Sequence, residues 1–101
     1  MRTKYVAGNW KMNMDKTSAV ALAKELVENL KNLKAKYMIA PPFVYLDAVA
    51  QIIKGSNIIL GAQNMTLTDN GAHTGAVSWA MLKDVGVETV ILGIQRERQA
   101  Y

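Results

Sequence analysis

Short, almost wholly apolar runs alternate with longer amphipathic ones along this chain. Tyr5-Val6-Ala7-Gly8, Tyr37-Met38-Ile39-Ala40, Ile58-Ile59-Leu60-Gly61-Ala62 and Val90-Ile91-Leu92-Gly93 read as strands. They lack the in/out alternation of a half-solvated sheet, which is the pattern of parallel strands covered on both faces. After the first run, apolar residues recur at Val20, Ala23, Leu26, Val27, Leu30 and Leu33. Spacings of three and four place them on one face of a helix, with Lys24, Glu28, Lys31 and Lys34 on the other. Asp15, Thr17 and Ser18 offer oxygens for its N-cap. Pro41-Pro42 ends the second strand, because proline donates no amide and restricts the residue before it. A second helical pattern covers 44–53, with Leu46, Val49, Ile52 and Ile53 inward, and Lys54-Gly55-Ser56-Asn57 is a turn cluster. A long polar loop spans 63–77. Ser78 is placed to cap a short third helix over 79–85, which Gly86 closes.

The order β-α-β-α-β-α-β predicts an α/β fold of four parallel strands and three consecutive crossovers, each right-handed. The pattern fits a sheet curled like part of a barrel and a flat, doubly wound one equally well. At 101 residues the chain has the size of one compact domain, so residues 1–101 are expected to form a single unit.

Composition narrows the function classes. The net charge of +4 comes without a run of four Lys/Arg or basic-aromatic interleaving, so no nucleic-acid partner is expected. With no cysteine and one histidine, His73, thiolate and multi-histidine metal sites are excluded, and no metal or cofactor is expected. Met1-Arg2-Thr3-Lys4 leads into a strand without a signal-peptide core, and no apolar run approaches the roughly 20 residues that span a bilayer. A cytoplasmic protein without a membrane partner is expected.

Particular motifs go further. Ala7-Gly8-Asn9-Trp10-Lys11-Met12-Asn13, Ala40-Pro41-Pro42-Phe43, Leu60-Gly61-Ala62-Gln63-Asn64 and Val90-Ile91-Leu92-Gly93 stand in one order, with Gly71-Ala72-His73-Thr74-Gly75-Ala76-Val77-Ser78 before the last. In order and spacing they resemble the triosephosphate isomerase family, over essentially the whole chain up to Gly93. The resemblance implies part of a (βα)8 barrel, a fold of about 250 residues, with this chain as its first four strands and three helices. It implies descent from an enzyme that interconverts dihydroxyacetone phosphate and glyceraldehyde 3-phosphate through an enediolate. Asn9 and Lys11 match the family's substrate-binding positions, at the strand end where ligands of parallel sheets sit. The loop 63–77 matches one that reaches a neighbouring subunit, with Thr74 near that subunit's active site.

The departures from the family lie at the chemistry. Ile94 stands where the electrophilic histidine belongs, and its aliphatic side chain has no N–H to polarise a carbonyl. Gln95, Arg96 and Glu97 replace the serine, glutamate and first arginine that follow, and the family's general base matches no residue here. No catalytic residue is therefore assigned, and His73, in the variable part of the loop, is a surface or contact histidine. Ala76 and Trp79 replace a usual glutamate and proline. Trp79, Ile94 and Tyr101 add apolar or aromatic surface, which reads either as local packing or as redesign of faces that a shortened barrel exposes. Thr74 and Trp79 are the expected subunit contacts. The expectation is an engineered, catalytically inactive fragment that folds as an open or self-associating half-barrel, two copies supplying the eight strands of a closed barrel. One part of a split isomerase, or a module that binds a phosphorylated triose weakly through Asn9 and Lys11, are the alternatives.

Overall fold

The computed structural model describes residues 5–67 and 70–91. The apolar runs form β1 (Tyr5–Asn9), β2 (Lys36–Ala40), β3 (Ile58–Ala62) and β4 (Thr89–Val90), in one sheet of order β1-β2-β3-β4. All pairs are parallel, with Gly8 beside Ile39, Ile39 beside Leu60, and Ala62 beside Val90. The order never reverses. Successive right-handed crossovers without reversal stack their helices on one face of the sheet, as in a barrel wall, whereas a doubly wound sheet must turn back on itself. The question left open by the hydrophobic pattern is thereby decided.

The helices are α1 (Lys16–Leu30), α2 (Leu46–Ile53) and α3 (Trp79–Asp84). Asp15 caps α1: its carboxylate accepts from the Ser18 amide at 2.8 Å, while the Ser18 hydroxyl accepts from the Asp15 amide at 3.1 Å. The Ser18 hydroxyl also donates to the Asp15 carboxylate at 2.8 Å, and the bonds the carboxylate accepts, from the Ser18 amide first and its hydroxyl second, hold it below its ordinary 3.8. Ala19 and Ala23 are fully buried on the inner face of α1, and Leu22, Leu26, Val27 and Leu30 pack partly buried around them. Two expected inward positions are corrected. Leu33 lies beyond the helix end, half exposed, in a turn closed by its amide on the Leu30 carbonyl. Val20 is half-buried outside the core cluster, and the fully buried Ala19 takes the inner position. The Asn57 side chain donates to the Leu30 carbonyl at 2.9 Å and satisfies one of the free acceptors at the end of α1.

A turn of 3₁₀ helix, Phe43–Tyr45, precedes α2, so the second helix starts later than the apolar pattern suggests and Val44 is left exposed. Leu46, Val49 and Ile53 are buried, with Ile52 half-buried. Ser78 caps α3 by accepting from the Met81 amide at 3.2 Å. The helix ends in a Schellman turn: Gly86 takes φ +101, its amide reaches the Lys83 carbonyl, and the Val87 amide reaches that of Leu82. Leu82 and Val87, both buried, make the apolar contact that accompanies this turn.

Register places Ile39, Ile58, Leu60 and Ala62 on the helical face, where they join Leu46, Val49, Ile53 and Leu82 in the core. The opposite face carries Ala7, Asn9, Met38, Ile59, Gly61 and Thr89. Coverage on both faces does not extend to β1. Val6, Ala7 and Asn9 are exposed, because β1 is an edge strand hydrogen-bonded only to β2 among the described residues. β4 begins at Thr89, a residue before the expected start, while Leu92 and Gly93 lie outside the described residues. No helix among the described residues is long and apolar enough to cross a membrane.

Candidate functional site

The sheet presents its loops at the C-terminal ends of the strands, and a hydrogen-bonded constellation of polar groups lies there, past β1. Pairing continues one residue beyond the strand, with the Trp10 amide on the Ala40 carbonyl at 3.1 Å. The Trp10 side chain turns into the core and is buried. The chain then bends sharply at Lys11, whose φ of +56 lies in the left-handed region, and again at Met14, with φ +84. For residues other than glycine this costs on the order of 1–3 kcal/mol each and persists only where neighbouring contacts impose it.

Those contacts are specific. The Lys11 amide donates to Asn9 Oδ1 at 2.9 Å, an Asx turn that folds the Asn9 side chain over the bend. Gln63 Nε2 donates to the Lys11 carbonyl at 2.8 Å. Asn13 Nδ2 donates to the Trp10 carbonyl at 2.9 Å, and the Tyr45 hydroxyl donates to the Met14 carbonyl at 3.2 Å. A loop of polar and exposed residues is thus tied to β1, to the turn after β2 and to the end of β3.

Asn9 and Lys11 are both solvent-exposed. Asn9 uses its carbonyl oxygen internally, which leaves its amide nitrogen as a donor toward an incoming group. No carboxylate among the described residues pairs with the Lys11 ammonium; the ion pair they contain is Lys31–Glu28 on α1. An uncompensated cation beside an amide donor, at the C-terminal edge of a parallel sheet, suits a phosphorylated or otherwise anionic ligand. Among the described residues no cluster of three or more His, Cys, Asp or Glu side chains stands ready for a metal.

The other expected site residues fall elsewhere. Thr74 is exposed on the loop 63–77, at the rim of a cavity of about 590 Å³ that Phe43, Asn64, Thr66 and His73 also line. The loop closes by the Thr66 amide on the Val77 carbonyl at 2.8 Å. Trp79 opens α3 and packs, partly buried, against the core. Among the described residues no hydrogen bond joins Thr74 or Trp79 to Asn9 or Lys11. Ile94 and Tyr101 lie outside the described residues. A further cavity, about 420 Å³, opens on the helical side over Ile58 and Leu60, with Asp47, Lys54, Asp84 and Glu88 about it, and contains neither Asn9 nor Lys11. Gln63 was not singled out by sequence. It stands inside one of the motifs, but nothing in a lone glutamine announces a bond to a carbonyl 52 residues away.

Comparison with known proteins bears on this geometry. The sequence model of the family described as triosephosphate isomerase matches residues 4–101. The triosephosphate isomerase of Treponema denticola is 55% identical over 101 residues, covering 100% of this chain and 40% of that protein. That of Caldanaerobacter subterraneus subsp. tengcongensis is 48% identical, covering 100% and 41%. The crystal structure of triosephosphate isomerase from Bartonella henselae superposes with a TM-score of 0.88 at 32% identity, covering 99% of this chain and 41% of that one. The chain spans about two-fifths of the length of the relatives it matches.

Proposed function

This chain belongs to the triosephosphate isomerase family, and from that premise we propose that it carries the substrate-binding end of part of the family's barrel without the isomerase chemistry. Asn9 and Lys11 bind the phosphorylated three-carbon ligand. The observation that carries this reading is the exposed Lys11 ammonium, held on a bend whose backbone is bonded on both sides. Charge–charge attraction to a phosphate or a developing enediolate oxygen is the principal contribution, with the Asn9 amide as the directional one. Affinity is modest, since one cation on an open surface is screened by salt.

Catalytic silence follows from residue identity. Ile94 stands in place of the electrophile and has no N–H to polarise the substrate carbonyl, and Arg96 stands in place of a carboxylate and supplies no proton acceptor. The changes at Ile94 and Tyr101 are read as redesign of the surface, whereas Trp79 packs against the core. A doubly charged phosphate ester does not cross a bilayer unaided, so the same reading places the chain in the cytoplasm.

Self-association is part of the proposal. Met12 and Leu67 on loops and Val44 in the 3₁₀ turn are large apolar side chains left exposed, and β1 offers a free edge among the described residues. Two copies contribute eight strands, with Thr74 and Trp79 near the contact. Light scattering across a concentration series is expected to give twice the chain mass of 11.1 kDa; a monomer at every concentration removes the dimer.

For ligand binding, amide resonances are followed during titration with dihydroxyacetone phosphate at low and high salt. Shifts centred on Asn9 and Lys11, weakened by salt and lost in Lys11→Ala, are expected. A response in the Lys11→Ala variant equal to that of the parent contradicts the assignment.

A further inference from the structure

We infer that Gln63 is a positioning residue for Lys11, a conclusion that rests on the ligand-binding role proposed for that lysine. The Gln63 carboxamide nitrogen lies 2.8 Å from the Lys11 carbonyl oxygen and 2.8 Å from that of Ala40. A primary amide nitrogen carries two hydrogens, so both bonds are made together. Ala40 ends β2 and sits in register with Asn9, while Gln63 is the first residue after β3. One side chain thus ties the bend after β1, the end of β2 and the end of β3 into a single unit.

The bend needs this support. Lysine has no intrinsic preference for φ +56, because its Cβ crowds the neighbouring carbonyl there. The peptide groups on either side are held instead: the Lys11 amide by Asn9 Oδ1 and the Lys11 carbonyl by Gln63. With both fixed, the direction in which the lysine side chain leaves the backbone is set before any ligand arrives. This pre-organisation reduces the ordering cost of binding.

No common replacement reproduces the clamp. Asparagine is a methylene shorter. An ionised glutamate turns acceptors toward two acceptors. Methionine matches the length and flexibility and has no donor. The contact is also non-local, which separates Gln63 from the Asx turn and the loop's internal bonds. Those join residues two and three apart in sequence.

The test uses the whole chain and two substitutions. In Gln63→Met, hydrogen exchange at the Lys11 amide is expected to accelerate by about tenfold, the scale of one lost hydrogen bond. The Lys11 Cα and Cβ shifts move away from values typical of positive φ, while the amides of α1 and α2 keep their protection. Unchanged Lys11 shifts and exchange in Gln63→Met overturn the clamp, and so does a loss of protection spread evenly over the fold. Lys11→Gly supplies the second arm, since glycine takes positive φ without strain. If Gln63 acts through the bend, Gln63→Met destabilises the Lys11→Gly background less than the parent in urea unfolding; equal losses in both overturn the inference. Titration with dihydroxyacetone phosphate then separates the two claims. A parent chain that shows the clamp and no ligand shift contradicts the binding reading alone. Ligand shifts of equal size and affinity in the parent and Gln63→Met contradict the positioning role alone.

Discussion

Leu60→Ala is expected to destabilise the chain by about 2–5 kcal/mol, a large part of the roughly 5–15 kcal/mol that a small domain commands. Leu60 is the middle residue of β3 and only 2% exposed. It stands beside Ile39 in the sheet and faces the helices, within the cluster that includes Leu46, Val49 and Ile53. Truncation removes apolar area and leaves a void. The surrounding strand has little room to collapse into that void, because the ladder on each side fixes its backbone. Urea unfolding followed by circular dichroism reads the change as a lower midpoint with an unchanged slope. A loss under about 1 kcal/mol contradicts the placement of the core on the helical side of β3.

Gly61→Val carries the second large effect, from the other face of the same strand. A Cβ built on Gly61 falls 2.5 Å from Met38 Sδ, 3.2 Å from Met38 Cγ and 3.3 Å from Thr89 Cγ2. Met38 lies across the glycine and is buried although it belongs to the face away from the helices. Alanine at 61 displaces a flexible thioether, which is cheap. Valine adds two branches against Met38 and Thr89 together, and about 1–3 kcal/mol of overpacking is expected. Met38→Ala should recover part of that loss in a double-mutant cycle, since the two positions share one space. Additive losses contradict the contact.

Much of this fold was legible in the sequence. The bounds of β3, the cap at Ser78 and the closure at Gly86 are local features, written in residue types whose preferences are steep. Strand count and parallel pairing followed from unbroken apolar runs separated by helical ones. Curvature did not, because the strand order that decides it is a property of pairing between distant segments. On the inner line of α1 hydrophobicity favours Val20 over Ala19, whereas the fully buried position is held by the smaller residue. The 3₁₀ turn at Phe43–Tyr45 was hidden inside an apolar pattern that suits either helix type.

The candidate site was legible only in part. The motif resemblance marked Asn9 and Lys11, and the structure places both at the open ends of the strands. The left-handed bend at Lys11 was not foreseeable, since lysine is not a residue that signals it. Gln63 was missed for the related reason that its partners are 52 and 23 residues away. Sites of this kind are assembled by loops from successive strands, and linear spacing carries little of that information.

The central claim is that the chain binds a phosphorylated triose at Lys11 and performs no isomerase chemistry on it. Incubating the chain with dihydroxyacetone phosphate in D₂O tests both halves in one sample, because enediolate formation exchanges a carbon-bound hydrogen for deuterium. The account predicts saturable shifts of the Asn9 and Lys11 Cα and Cβ resonances, with deuterium entering the substrate no faster than in buffer. Accelerated deuterium uptake, or spectra that do not change as substrate is added, would contradict it.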